Sequence, residues 1–157
     1  MTANEARRHL AYSTWASRRI LEAALAIPEE QRERDLGTSH KGVMHTLHHI
    51  VMADRNWLYR VLGEAPPAAG LIEEEWPHLW KQWEEAAASW SDADLERVVE
   101  YRDLKGNAHR SRLDEIVLHV VNHATLHRGQ VMGMLRQLSV APPATDLIFY
   151  YRQGGLP

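Results

Sequence analysis

Leu113, Ile116, Val117, Val120, Ala124, Val131, Met134, Leu135 and Leu138 recur at three- and four-residue intervals, the repeat of one face of an α-helix. A helix this long with one apolar face must bury that face against other elements. Two histidines, His123 and His127, fall inside the same stripe, between Val120 and Val131. A buried imidazole needs a hydrogen-bond partner, a charge or a metal. Ser111, followed by Asp114 and Glu115, reads as the N-cap of this helix with acidic residues in its first turn. Its end is expected near Ser139, ahead of Pro142-Pro143.

Three more segments carry helical spacing. The first starts at Thr2-Ala-Asn-Glu5, a capping-box pattern, continues through Tyr12, Ala16, Ile20, Ala23 and Ile27, and stops at Pro28. Residues 28–39 form a polar connection. The second runs from about Lys41 to Leu62 and is stopped by Gly63, with Val43, Leu47, Val51, Asp54, Leu58 and Val61 broadly on one side. After a loop from Glu64 to Gly70, the third spans Ile72 to Trp90, with Pro77 either kinking it or marking its first turn. Trp76, Trp80, Trp83 and Trp90 give it a bulky apolar face. Arg97–Tyr101 has strand character, and Gly106-Asn107 supplies a turn before Ala108–Arg110. Such a hairpin is marginal unless it packs on helices. The tail Asp146–Tyr151 is apolar enough to fold back on the domain. The expected fold is all-α, a single-domain four-helix bundle over residues 1–157 with a small β-hairpin before the last helix. Connections of more than about ten residues leave room for topologies other than a simple up-down sequence.

Composition narrows the chemistry. Among 157 residues there is no cysteine, which excludes disulfides, thiolate ligands and a cysteine nucleophile. Any thiol must come from a second molecule. The net charge of −3, with Arg and Glu interspersed, gives no basic surface for phosphate backbones, so no nucleic-acid partner is expected. No signal-peptide pattern and no membrane-length apolar run occurs, and the default compartment is the cytoplasm. Ten histidines and six tryptophans are more than a bundle core requires, and a metal or ligand pocket accounts for some of each.

His123 and His127 stand about 40° apart on their helix, within ~5–6 Å, so both imidazoles can reach one metal ion. A third ligand from elsewhere would leave coordination positions open, the pattern of a reactive rather than a structural site. The alternative is a pair of core histidines bonded to the bundle. The second helix offers His45, His48 and His49, and spacing does not choose among them. His45 and His49 share a face, and His48 points about 100° from His49. His119, four residues before His123, is placed at the pocket rim or behind the ligands. Asn122 and Gln130 flank the pair and can hold imidazole tautomers or an outer water. Arg128 leaves the metal face at its side, to pair with an acid such as Asp54 or to bind an anionic substrate. His9, His40, His78 and His109 lie in no motif and are expected at the surface.

Four stretches in order along the chain carry a family resemblance. Asn122-His-Ala-Thr-Leu-His-Arg-Gly-Gln130 closely resembles the C-terminal motif of the DinB family, and Thr46-Leu-His-His-Ile-Val-Met-Ala-Asp-Arg-Asn-Trp-Leu58 its second-helix motif. Tyr101-Arg-Asp-Leu-Lys-Gly-Asn107 resembles its hairpin, and Asp146-Leu-Ile-Phe-Tyr150 its C-terminal segment. The resemblance implies a bundle of that family's type, often homodimeric, that binds one divalent metal ion, commonly zinc or nickel, through three histidines. It puts the second-helix ligand at His49, with His48 standing where the family often has Asn, and so implies the ligand set His49, His123 and His127. For function it implies activation of an external low-molecular-weight thiol for S-transfer. A metal-bound hydroxide acting as a hydrolase is an alternative, although Asp54, the candidate base, points about 140° from His49 on its helix. A non-catalytic, stress-associated metal-binding dimer is another. A small-molecule ligand and a homodimer are the expected partners, with tryptophans exposed on the third helix as a possible association surface.

Overall fold

The computed structural model describes residues 1–154. Among the described residues six α-helices and one hairpin follow in the order α1 (Ala3–Leu25), α2 (Glu29–Arg32), α3 (Val43–Leu62), α4 (Ile72–Ala88), β1 (Val98–Arg102), β2 (Ala108–Arg112), α5 (Leu113–Gln137) and α6 (Leu147–Arg152), with a single 3-10 turn at Asp94–Glu96 before β1. The helix ends follow local chemistry. Thr2 Oγ1 accepts from the Glu5 N–H, and the Glu5 carboxylate accepts from the Thr2 N–H at 2.8 Å, closing the expected capping box. Gly63 ends α3 at φ 73°, a left-handed cap in which Glu64 N–H returns to Tyr59 O at 3.0 Å.

Two boundaries differ from the sequence expectation. Lys41 is not helical but sits at φ 63°, and Gly42 caps α3. A side chain on Gly42 would run into the Arg34 carbonyl oxygen, so the polar connection folds tightly back onto the start of α3. Ser111 is likewise not the cap of α5. It pairs with Val99 in the hairpin and its hydroxyl meets the Tyr101 hydroxyl at 3.2 Å. Arg112 takes the cap position, where its N–H donates to Glu115 Oε2 at 2.9 Å. Pro77 lies inside α4 rather than at its first turn.

The four long helices form a ring in which α1 packs on α4 and α5, and α3 also packs on α4 and α5. Chain neighbours α1 and α3 therefore occupy a diagonal, and so do α4 and α5. The connections that cross these diagonals are residues 26–42 and 89–112, the second carrying the antiparallel hairpin. The hairpin is not isolated: Arg97 donates to Val61 O at the end of α3, and Tyr101 packs edge-on against Trp57.

Val43, Leu47, Ile50 and Leu58 of α3 meet Leu113, Ile116, Val117 and Leu135 of α5 in one continuous core. Trp76, Trp80, Trp83 and Trp90 are all buried in it, so the expectation of exposed tryptophans as an association surface does not hold. They are spent on the bundle's own interior, where each covers more apolar area than any other side chain. No helix among the described residues is long and apolar enough to cross a membrane.

Candidate metal centre

His49 on α3 faces His123 and His127 on α5, and ligand-capable atoms of the three imidazoles lie within 4.8 Å of one another. The adjacency of α3 and α5 brings together residues far apart in sequence, and the i, i+4 spacing puts the α5 pair on one side of that helix. The Nε2 atoms of His49 and His123 stand 3.1 Å apart. Two nitrogens bound to one tetrahedral ion at ~2.0–2.1 Å are about 3.3 Å apart, so the pair already has the spacing that a shared ion imposes. His123 Nδ1 is buried with no hydrogen-bond partner. His127 Nδ1 meets Gln130 Oε1 at 2.7 Å. The amide oxygen only accepts, so it holds the proton on Nδ1 and leaves Nε2 free to ligate, the arrangement usual behind a metal-bound histidine.

The electrostatics favour neutral ligands. Burial, with His127 and His49 next to it, pushes His123 down to about 4. Burial and the neighbouring His40 and His127 also lower His49. A protonated imidazole competes with metal, so both shifts keep lone pairs available near neutrality. The donor set fits a divalent ion of borderline softness, which neutral imidazoles suit.

The other sequence candidates take different places. His48 is exposed and has no hydrogen bond to the cluster, and His45 is also exposed, so of the α3 histidines His49 is the one in the group that could hold an ion. His119 stands at the rim, 5.7 Å from the His123 ring and edge-on to Trp57 at 5.1 Å between centroids. Burial and Arg60 lower its proton affinity. Asn122 turns back along its own helix and donates to Leu118 O, so it does not hold an imidazole. Asp54 is buried, and its Oδ2 accepts from Trp76 Nε1 at 2.8 Å. It faces the core beside α4 and makes no hydrogen bond to the histidines.

Arg128 neither pairs directly with Asp54 nor opens to a ligand. It is buried, donates to the Ser13 and Ser17 hydroxyls of α1 and to Thr125 Oγ1, and lies over the Tyr12 ring. It ties α5 to α1 through hydroxyl acceptors and an aromatic face.

One residue that the sequence placed at the surface belongs here. The His40 ring lies 4.2 Å from that of His49, at 29° between planes, and 5.1 Å from that of His127. It comes from the connection before α3, outside any helical repeat. Only the fold-back at Lys41 and Gly42 brings it in.

A bundle with diagonal connections, a hairpin before the last helix and three histidines converging from the second and last long helices defines a class of candidate metal-binding helical proteins. The DinB family model matches residues 1–154, and the chain belongs to the DinB family. It is similar to Protein DinB of Bacillus subtilis (strain 168), at 24% identity over 153 residues, 88% of this chain and 89% of that protein. In fold it is similar to the crystal structure of a DinB-like protein from Bacillus cereus ATCC 10987, with a TM-score of 0.54 and 16% identity over 83% of this chain and 91% of that one.

Proposed function

We propose that His49, His123 and His127 bind one divalent metal ion, zinc or nickel, and that the protein uses it to activate a low-molecular-weight thiol for S-transfer. The observation that carries this reading is the convergence of three imidazoles without a carboxylate among them. When bound, an ion with only neutral ligands keeps its full positive charge and lowers the pKa of a thiol or water at its open position.

The residues around the site favour the thiol over water. Hydrolysis by a hydroxide that the ion generates is commonly completed by a nearby acid or base that moves the proton to the leaving group. Among the described residues no carboxylate joins the histidine cluster, and Asp54 is occupied by Trp76. A thiol, more acidic than water by several orders of magnitude, needs no such base once its anion is stabilised. The chain has no cysteine of its own to compete for the ion. Gln130 fixes the direction of His127, and His119, Trp57 and Tyr101 form an aromatic wall beside His123 against which a small substrate can exclude water.

Elemental analysis of purified protein tests the ligand set. About one metal ion per chain is expected, lost in His123→Ala, His127→Ala and His49→Ala and kept in His48→Ala. Undiminished metal in the α5 variants refutes the site. Metal-dependent consumption of small thiols in the presence of an electrophilic acceptor supports transfer. Ester turnover without thiol points to hydrolysis, and silence in both assays with tight metal binding points to a non-catalytic protein.

A further inference from the structure

His40 is outside the tight three-histidine set, yet its ring contacts two of the three ligands at distances like those within the set. The ligand rings stand 4.4–4.9 Å apart, and His40 stands 4.2 Å from His49 and 5.1 Å from His127. Its Nδ1 lies 3.3 Å from Ser39 Oγ, so the contact engages Nδ1, although a hydroxyl, unlike the Gln130 amide oxygen, can donate or accept and does not fix the tautomer.

The backbone that carries it is built to present it. Leu36 N–H donates to Lys41 O at 2.8 Å and Lys41 N–H to Thr38 O at 2.9 Å. Lys41, the next residue, holds a left-handed conformation that is strained for a side-chain-bearing residue, and such conformations gather at functional sites. Gly42 then packs directly on the Arg34 carbonyl. The result is an imidazole carried by a turn, not a helix, beside two helix-borne ligands.

We infer that His40 is a fourth imidazole ligand, turned onto the metal from the loop before α3 and displaced when an exogenous thiol binds. This rests on the three-histidine reading and adds the step by which its open position is reached. Helix-borne His49, His123 and His127 are fixed by the packing of α3 on α5. His40 rests on the His49 and His127 rings but is carried by a turn and not by a packed helix, so it is the ligand that can leave. In the resting protein it would shield the ion from bulk ligands without closing the site permanently.

Cobalt(II) tests this without any turnover assay. Wild-type protein and the variants His40→Ala and His123→Ala are titrated with Co(II) against a competing chelator, and nitrogen coordination is read by X-ray absorption and the visible spectrum. The expected result is that His40→Ala still binds one Co(II), about tenfold or more weakly, with one imidazole fewer and an altered spectrum. His123→Ala, which removes a helix-borne ligand from the tight set, is expected to weaken Co(II) binding much further than His40→Ala does. Mercaptoethanol added to the Co(II) proteins should produce a sulfur-to-metal band at severalfold lower thiol concentration in His40→Ala. Unchanged affinity and spectrum in His40→Ala overturn the inference while leaving the three-histidine site intact, as does a half-saturating thiol concentration equal to or above that of wild type. Failure of the wild type to bind Co(II) removes the underlying site as well. Circular dichroism of the metal-free proteins separates these effects from misfolding.

Discussion

Replacing Asp54 with asparagine should make the protein's stability less dependent on pH, and in a defined direction. Asp54 is buried, and burial pushes its carboxyl up from 3.8 to about 7, against the opposing pull of the Trp76 hydrogen bond and of Arg128. A group whose folded pKa is raised binds its proton more tightly in the folded state. Its contribution is fully present below about pH 4 and is lost as pH rises through about 7. At ~1.4 kcal/mol for each tenfold change in proton affinity, the difference between pH 4 and pH 8 approaches about 4 kcal/mol, an upper figure because the interior relaxes around a buried charge. Asparagine keeps an oxygen for Trp76 Nε1 and cannot ionise.

The assay is urea unfolding of wild type and Asp54→Asn at pH 5 and pH 8, with a chelator present so that metal linkage does not intrude. His49, His119 and His123, whose proton affinities burial lowers, act on stability in the opposite sense and alike in both proteins, so the comparison cancels them. The variant should gain ~1–2.5 kcal/mol relative to wild type between pH 5 and pH 8, since most of that window lies below the folded pKa of about 7. If instead Asp54→Asn is destabilised by the same amount at both values, Asp54 is ionised throughout and acts as the buried counter-charge of Arg128. That outcome refutes a carboxyl held protonated by burial.

Arg128→Lys should cost ~1–3 kcal/mol in the same unfolding assay. One ammonium cannot reproduce the planar donors that reach Ser13, Ser17 and Thr125, and an unchanged midpoint would show that these bonds are replaceable. Gly42→Ala should lower stability by ~1–3 kcal/mol, a fall of about 3–10 °C in Tm by calorimetry, because the added methyl must push the Arg34 carbonyl away. The same shift should weaken Co(II) binding if the turn at Lys41 and Gly42 is what presents His40.

What the sequence made legible follows from periodicity. The long helices repeat every 3.6 residues, so the stripes on α1, α3 and α5 and the pairing of His123 with His127 were readable without coordinates. Gln130 was readable too, three residues beyond His127 on the same face. Asp54, Asn122 and Arg128 were not, because their partners belong to tertiary choices. Trp76 takes Asp54 only because α4 packs on α3, and Ser13 and Ser17 take Arg128 only because α5 packs on α1. The cap of α5 slipped by one residue because the hairpin claims Ser111 for pairing with Val99. His40 was invisible for a plainer reason. Its position depends on one left-handed residue and one glycine against a carbonyl, and neither leaves a periodic trace.

The diagonal connections give the bundle a property that packing alone would not. Four amphipathic helices taken in chain order around a ring would bury comparable apolar stripes with shorter links, and would set α3 and α5 at opposite corners. His49 would then be a full helix diameter or more from His123 and His127, with the interior filled between them. The long detours at residues 26–42 and 89–112 are what make α3 and α5 neighbours. A metal ion held between those two helices would therefore favour one wiring of the bundle over its simplest competitor. Trimming the hairpin connection, far from any ligand, would be a way to erase the site without touching a histidine.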